Sequence, residues 1–132
     1  MRDNRGSVVV ETVVLVPVIV MALVFVIGCG RWVQAEMTVR NAVDQAARSA
    51  SMVAAGRMRV VGLSQAERQL GGSRSGCVDR RADVSTFRSG RMMFVRAVAS
   101  CRVDLRGLTG LFGLPRSVSA STVEVVDVFT FR

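Results

Sequence analysis

From Arg5 to Cys29 the chain reads RGSVVVETVVLVPVIVMALVFVIGC, an apolar run in which Glu11 is the only charged side chain after Arg5. Written as a helix rising 1.5 Å per residue, Val8 to Cys29 spans roughly 33 Å, the thickness of a bilayer core. An apolar run of that length is expected to tether the chain to a membrane. A carboxylate at the centre of a span costs about 2.5 to 3.5 kcal/mol and less near the interface, so Glu11 calls for a reason. Pro17 is tolerable there, because neighbouring helices in lipid can satisfy the backbone groups it frees.

The part beyond the anchor is small. Residues 31–132 suffice for one domain, with 1–6 as a short basic leader and 7–30 as the transmembrane helix. All 18 basic residues are Arg, and the chain has no His and no Tyr. Without His, triads built on imidazole and His-ligated zinc sites are excluded. The formal charge of +8 belongs to the part after the span, where 16 Arg face 8 acids. Such a surface attracts anionic lipid or wall polymer, or is a solvated Arg-biased face. Nucleic acid is not expected as a partner, since the single Trp, Trp32, abuts the span and no base-stacking pattern accompanies the arginines.

Periodicity organises the domain. Glu36, Arg40, Asp44 and Arg48 recur every four residues as a stripe of alternating charge. Nearly opposite, Ala42, Ala46, Ala50 and Ala54 form a small-residue stripe flanked by Val39, Val43 and Ala47, fit to pack on this chain's own sheet or on another subunit. The pattern predicts a helix over 31–55 ended by Gly56, then a short helix over 63–70 closed by Gly71 and Gly72. GGSRSG, Gly71 to Gly76, reads as a flexible link.

After the link the period changes to two. Met93, Val95, Ala97, Ala99, Cys101, Val103 and Leu105 share one face of a strand, and Arg96, Ser100, Arg102 and Asp104 the other. Cys77 to Ser85 reads as a weaker strand, joined to it through Thr86 to Gly90 as a hairpin. RGLTGLFGLPR is too broken for a regular element, and Ser117 to Phe131 reads as a third strand with its alternation slipping near Val125 and Val126, as at a bulge. The expected class is α+β: a long N-terminal helix, continuing from the membrane span, packed on an antiparallel sheet of about three strands within 77–131.

Folding the hairpin brings Cys77 and Cys101 to adjacent strands, though at uneven offsets from the turn. They are either a disulfide or two separate buried thiols. A bridge would close a loop of about 25 residues and contribute about 3.5 kcal/mol in the chain-entropy model, and it requires an oxidising compartment outside the cytoplasm. Cys29, between Gly28 and Gly30, reads most simply as a small lipid-buried residue.

The N-terminal motif of Arg5, Gly6, Ser7, three valines and Glu11 resembles that of type IV prepilins, in which a glycine followed at the fifth position by glutamate marks cleavage by a membrane aspartyl peptidase. With Gly30, Arg31 and Trp32 leaving the membrane, an alanine-rich helix with Asn41 and Arg48, and the distal region CVDRRADVSTFRSGRMMFVRAVASCRVDLRGLTGLFGLPRSVSASTVEVVDVF, the chain resembles the TadE-like family of the tight-adherence (Tad/Flp) pilus system, actinobacterial type. The resemblance implies a pilin-like fold and a cut between Gly6 and Ser7. It also implies that Glu11, then fifth in the mature chain, pairs with a neighbouring subunit's free α-amino group. Thr12 departs from the phenylalanine usual after the glutamate, and Cys29 is not a usual feature.

The function implied is that of a minor pilin or pseudopilin, or of a membrane-anchored assembly component, serving pilus biogenesis and adhesion. Its partners would be the membrane, other Tad/Flp pilins and pseudopilins, Tad membrane assembly proteins and the prepilin peptidase, with no cofactor, metal or small-molecule substrate. The protein would sit in the cell membrane by a single pass with its C-terminal domain extracytoplasmic. The alternative is a surface lipoprotein: Val26, Ile27, Gly28 and Cys29 fit a permissive lipobox behind a basic head and an apolar run, with lipid on Cys29. A membrane-anchored hydrolase using a serine with Asp79, Asp83, Asp104 or Asp127 would have neither His nor Lys to activate the nucleophile, so no enzyme activity is expected.

Overall fold

Apolar residues with few breakers carry a single helix, α1, from Arg5 to Ser51, through Pro17 and through the point where the apolar run gives way to charged residues. The structure, a computed structural model, describes residues 5–72, 77–103 and 116–126. A second helix, α2, spans Ala55–Leu70, and strands β1 (Cys77–Ser89), β2 (Met92–Val103) and β3 (Arg116–Val125) come after it. They form one antiparallel sheet in the order β1-β2-β3. The class is α+β, as the periodicities predict.

The helix boundaries differ from the expectation of 31–55 and 63–70. The chain leaves α1 at Met52 to Ala54, with Ala54 extended at φ −59°, ψ 146°, and Gly56 lies in the first turn of α2. A glycine costs little in a first turn, whose N–H groups need no intrahelical acceptor. α2 begins well before Leu63 because Met58, Gly62, Ala66 and Leu70, four residues apart, form one buried stripe. At its end the Gly71 N–H donates to the Glu67 carbonyl at 2.8 Å.

The hairpin is tighter than expected. β1 continues through Thr86 to Ser89, leaving Gly90 and Arg91 as a two-residue turn between the paired Ser89 and Met92. Gly90 has φ +60° while Arg91 keeps a negative φ, the pattern of a type II′ turn, whose first central position favours glycine.

Among the described residues the core is built mainly from small side chains. Ala35, Val39, Ala42, Val43, Ala46, Ala47 and Ala50 of α1 are buried with the inward residues of β2, Val95, Ala97, Ala99, Cys101 and Val103. Ala42, Ala46 and Ala50 are thus covered by this chain's own elements, while Ala54 lies outside the helix and is exposed. Gly62 allows the closest approach: a Cβ there would stand 3.1 Å from both Val84 γ-methyls and 3.2 Å from the Ala50 Cβ. In β3 the inward face runs Val118, Ala120, Thr122 and Glu124, and Val126 continues it, buried and donating its N–H to the Met93 carbonyl at 2.8 Å. The pairing of β2 with β3 is regular from Phe94–Val125 to Val103–Arg116, so the bulge expected near Val125 is not found there.

The irregularity lies in β1. Asp79 pairs with Arg102, yet Cys77 pairs with Val103, so Val78 is an extra residue with no partner of its own. Of the expected charge stripe, Glu36 and Arg40 form a 2.7 Å ion pair, exposed and worth about 0.3 to 0.5 kcal/mol. Leu105, the RGLTGLFGLPR segment, most of the Gly71–Gly76 link and the chain beyond Val126 lie outside the described residues.

Candidate functional site

The first candidate site is the free half of α1. From Val10 to Arg31 every residue is exposed except Val24 and Gly28, which are half-buried, and the most apolar window has none of its residues buried inside the domain. Val13, Leu15, Ile19, Leu23, Phe25 and Ile27 are each about half exposed or more. Side chains of this kind gain roughly 1.5 to 3 kcal/mol each on leaving water, so the segment needs lipid or neighbouring helices around it. By length and composition α1 can cross a membrane. At Trp32 and Ala35 the same helix enters the domain core, so the anchor and the folded part share one continuous rod.

Glu11 sits on the exposed surface of this half, nearly two turns after the helix begins. Cys29 comes five full helical turns later and so lies on the same face, roughly 27 Å along the axis. It is a free, exposed thiol, whereas the other two cysteines are joined. Gly28 and Gly30 have open space where a Cβ would stand, so nothing within the chain requires glycine there. Gly6 and Ser7 lie in the first turn of α1.

The second feature is the covalent clip. Cys77 and Cys101 form a disulfide with their Cα atoms 5.5 Å apart. In an unbroken ladder Arg80 stands opposite Cys101, and Cys77, at the opposite parity, would point away from it. The extra Val78 restores parity: it turns its own side chain to solvent, 63% exposed, and sets Cys77 on the inward face beside Val103 and Cys101. This explains the uneven offsets of the two cysteines from the turn. In a domain of this size a cross-link closing a loop of this length contributes about 3.5 kcal/mol in the chain-entropy model.

The aspartates considered for catalysis serve the exposed side of the sheet. Asp79 has Arg81 and Arg102 each at 4.0 Å, and Asp83 has Arg59 at 3.8 Å. Asp104 and Asp127 lie outside the described residues. Among the described residues no group of three or more His, Cys, Asp or Glu is placed to hold a metal ion.

Sequence reading missed a cluster on the face of the sheet that faces away from α1 and α2. Phe87 of β1 and Phe94 of β2, directly paired, stack with ring centroids 5.3 Å apart, and the Arg96 guanidinium carbon lies 5.4 Å from the Phe87 centroid. The signal was available: with the turn at Gly90 and Arg91, counting back from Ser89 and forward from Met92 brings the two rings opposite each other.

The architecture defines a class: a single-helix membrane-anchored α+β protein whose anchor runs without a break into the core of a disulfide-clipped domain. Within it, residues 6–48 match the family described as TadE-like protein, which covers the apolar half of α1 and nearly all of its packed half. Over that stretch the chain is similar to TadE-like proteins, in agreement with the resemblance carried by its N-terminal motif and alanine-rich helix. No curated protein and no solved structure matches the chain.

Proposed function

We propose that the chain is a minor pilin or pseudopilin, or a membrane-anchored assembly component, of a Tad/Flp pilus, with a structural and non-enzymatic role in pilus biogenesis and adhesion. The observation that carries the reading is the coincidence of the TadE-like match over residues 6–48 with one continuous helix whose first half is apolar and uncovered. A helix of that kind can be held in a bilayer and can also be drawn into a bundle of like helices without refolding, since no boundary separates anchor from domain. The domain stays outside the cytoplasm, where its disulfide is stable.

In this reading Gly6 and Ser7 flank the cut made by a prepilin peptidase. Glu11 then lies near the new N-terminus, where its carboxylate pairs with the free α-amino group of a neighbouring pilin or pseudopilin. Pairing offsets the cost of holding the charge in lipid. Tad membrane assembly proteins would receive the chain through the same segment.

The experiment is Glu11→Ala in the native host. The outer domain is expected to fold, with Cys77 and Cys101 protected from thiol reagents, while surface pili fall several-fold in yield. Normal pilus yield from a chain carrying Glu11→Ala at wild-type abundance would sink the role given to Glu11.

A further inference from the structure

The geometry points to the hairpin end of the sheet face turned away from α1 and α2 as a docking surface for a second protein that presents carboxylates among apolar side chains. Phe87, Met92, Phe94, Val123 and Val125 project from three strands onto this face around Arg96. Val123 is 46% exposed, Val125 52% and Met92 51%, while α1 and α2 cover the opposite face. Aromatic side chains, Met and Arg are the residue types enriched at protein interfaces, and the Phe87–Phe94 stack with Arg96 over it is a rigid anchor that loses little entropy on binding.

Charge identifies the partner. Of the acids of this face, Asp79 lies at the disulfide end and Asp83 at the middle of β1, and both are within 4.0 Å of arginines of this chain other than Arg96 and Arg91. At the hairpin end, among the described residues, no carboxylate lies within ion-pair distance of Arg96 or of Arg91 in the turn. A ligand surface with Asp or Glu supplies the missing charge while its apolar groups cover the valines and rings. A second copy is a poor fit, because a two-fold axis through the patch sets Arg96 against Arg96. A bilayer is also a poor fit, because immersing the patch would carry the central guanidinium into hydrocarbon with no counter-charge.

The test places the photo-cross-linking residue p-benzoylphenylalanine at Val123, or at Val125 as a second position, in the full-length chain in its own host. The control replaces Ser119, on the same face of β3 at the other end. The expected result is an adduct at the hairpin end, absent from Ser119, with a different polypeptide whose cross-linked peptide contains Asp or Glu beside apolar residues. Its yield should fall at least about tenfold with Arg96→Glu and persist with Arg96→Lys, while Cys77 and Cys101 stay protected. An adduct with a second copy or with lipid, equal yield at Ser119, indifference to Arg96→Glu, or no adduct at either position overturns the inference. The surface is independent of processing at Gly6, so its failure leaves the pilin reading standing.

Discussion

Gly62 shows how a single residue sets the spacing of the domain. Its missing side chain lets α2 lie against Ala50 of α1 and Val84 of β1 at once. Gly62→Leu would gain about 1 kcal/mol of helix propensity but force a branched side chain into a filled space, for a net loss of about 1 to 2 kcal/mol. Trp32, the only Trp and half-buried against the core, reports unfolding by its fluorescence. A lower urea midpoint is expected for detergent-solubilised Gly62→Leu, and an unchanged or higher midpoint contradicts the packing described. Gly62 was not legible in the sequence, because a glycine inside a helical pattern reads as a weak point until the element opposite it is known. Val95, Ala97, Ala99, Cys101 and Val103 were legible, since strict alternation is imposed by the pleat itself.

Among the elements, β1 and β2 carry the sharpest consequence. If Val78 is an extra residue, its deletion leaves Cys77 opposite Val103 in a regular ladder, and the disulfide should persist. Thiol labelling of the unfolded, unreduced chain lacking Val78 should leave Cys77 and Cys101 unmodified. Free labelling would show that the bulge has been misplaced. Replacing both cysteines by serine should lower stability by about 3.5 kcal/mol, seen as a large shift in the same unfolding midpoint. The bulge was visible in the sequence only as an uneven offset, because its location depends on where the turn falls. The break between α1 and α2 was misjudged for a related reason. Gly56 is the residue type that ends helices, yet the chain turns at Met52 to Ala54, where no side chain caps the new helix. The stripe of Met58, Gly62, Ala66 and Leu70 was the signal that α2 starts earlier.

At the scale of the molecule, two surfaces are left uncovered among the described residues, and they differ in chemistry. One is the apolar half of α1 with its single carboxylate, and the other is the basic, aromatic end of the sheet. A small domain that buries mainly alanine and valine and is clipped by a disulfide serves as a rigid carrier of those two surfaces. The anchor was legible from hydropathy alone, whereas the sheet surface required pairing across three strands. The functional reading turns on whether the apolar half of α1 is the N-terminus of a processed, pilin-type subunit. The N-terminal sequence and intact mass of the protein, isolated from the membrane and surface fractions of its own host, decide this. A mature chain beginning at Ser7 and containing one disulfide is the expected result. Lipid attached to Cys29 with the preceding residues removed would contradict the reading as a whole, and an N-terminus that still includes Gly6 would contradict its pilin-type form and leave a membrane-anchored assembly component.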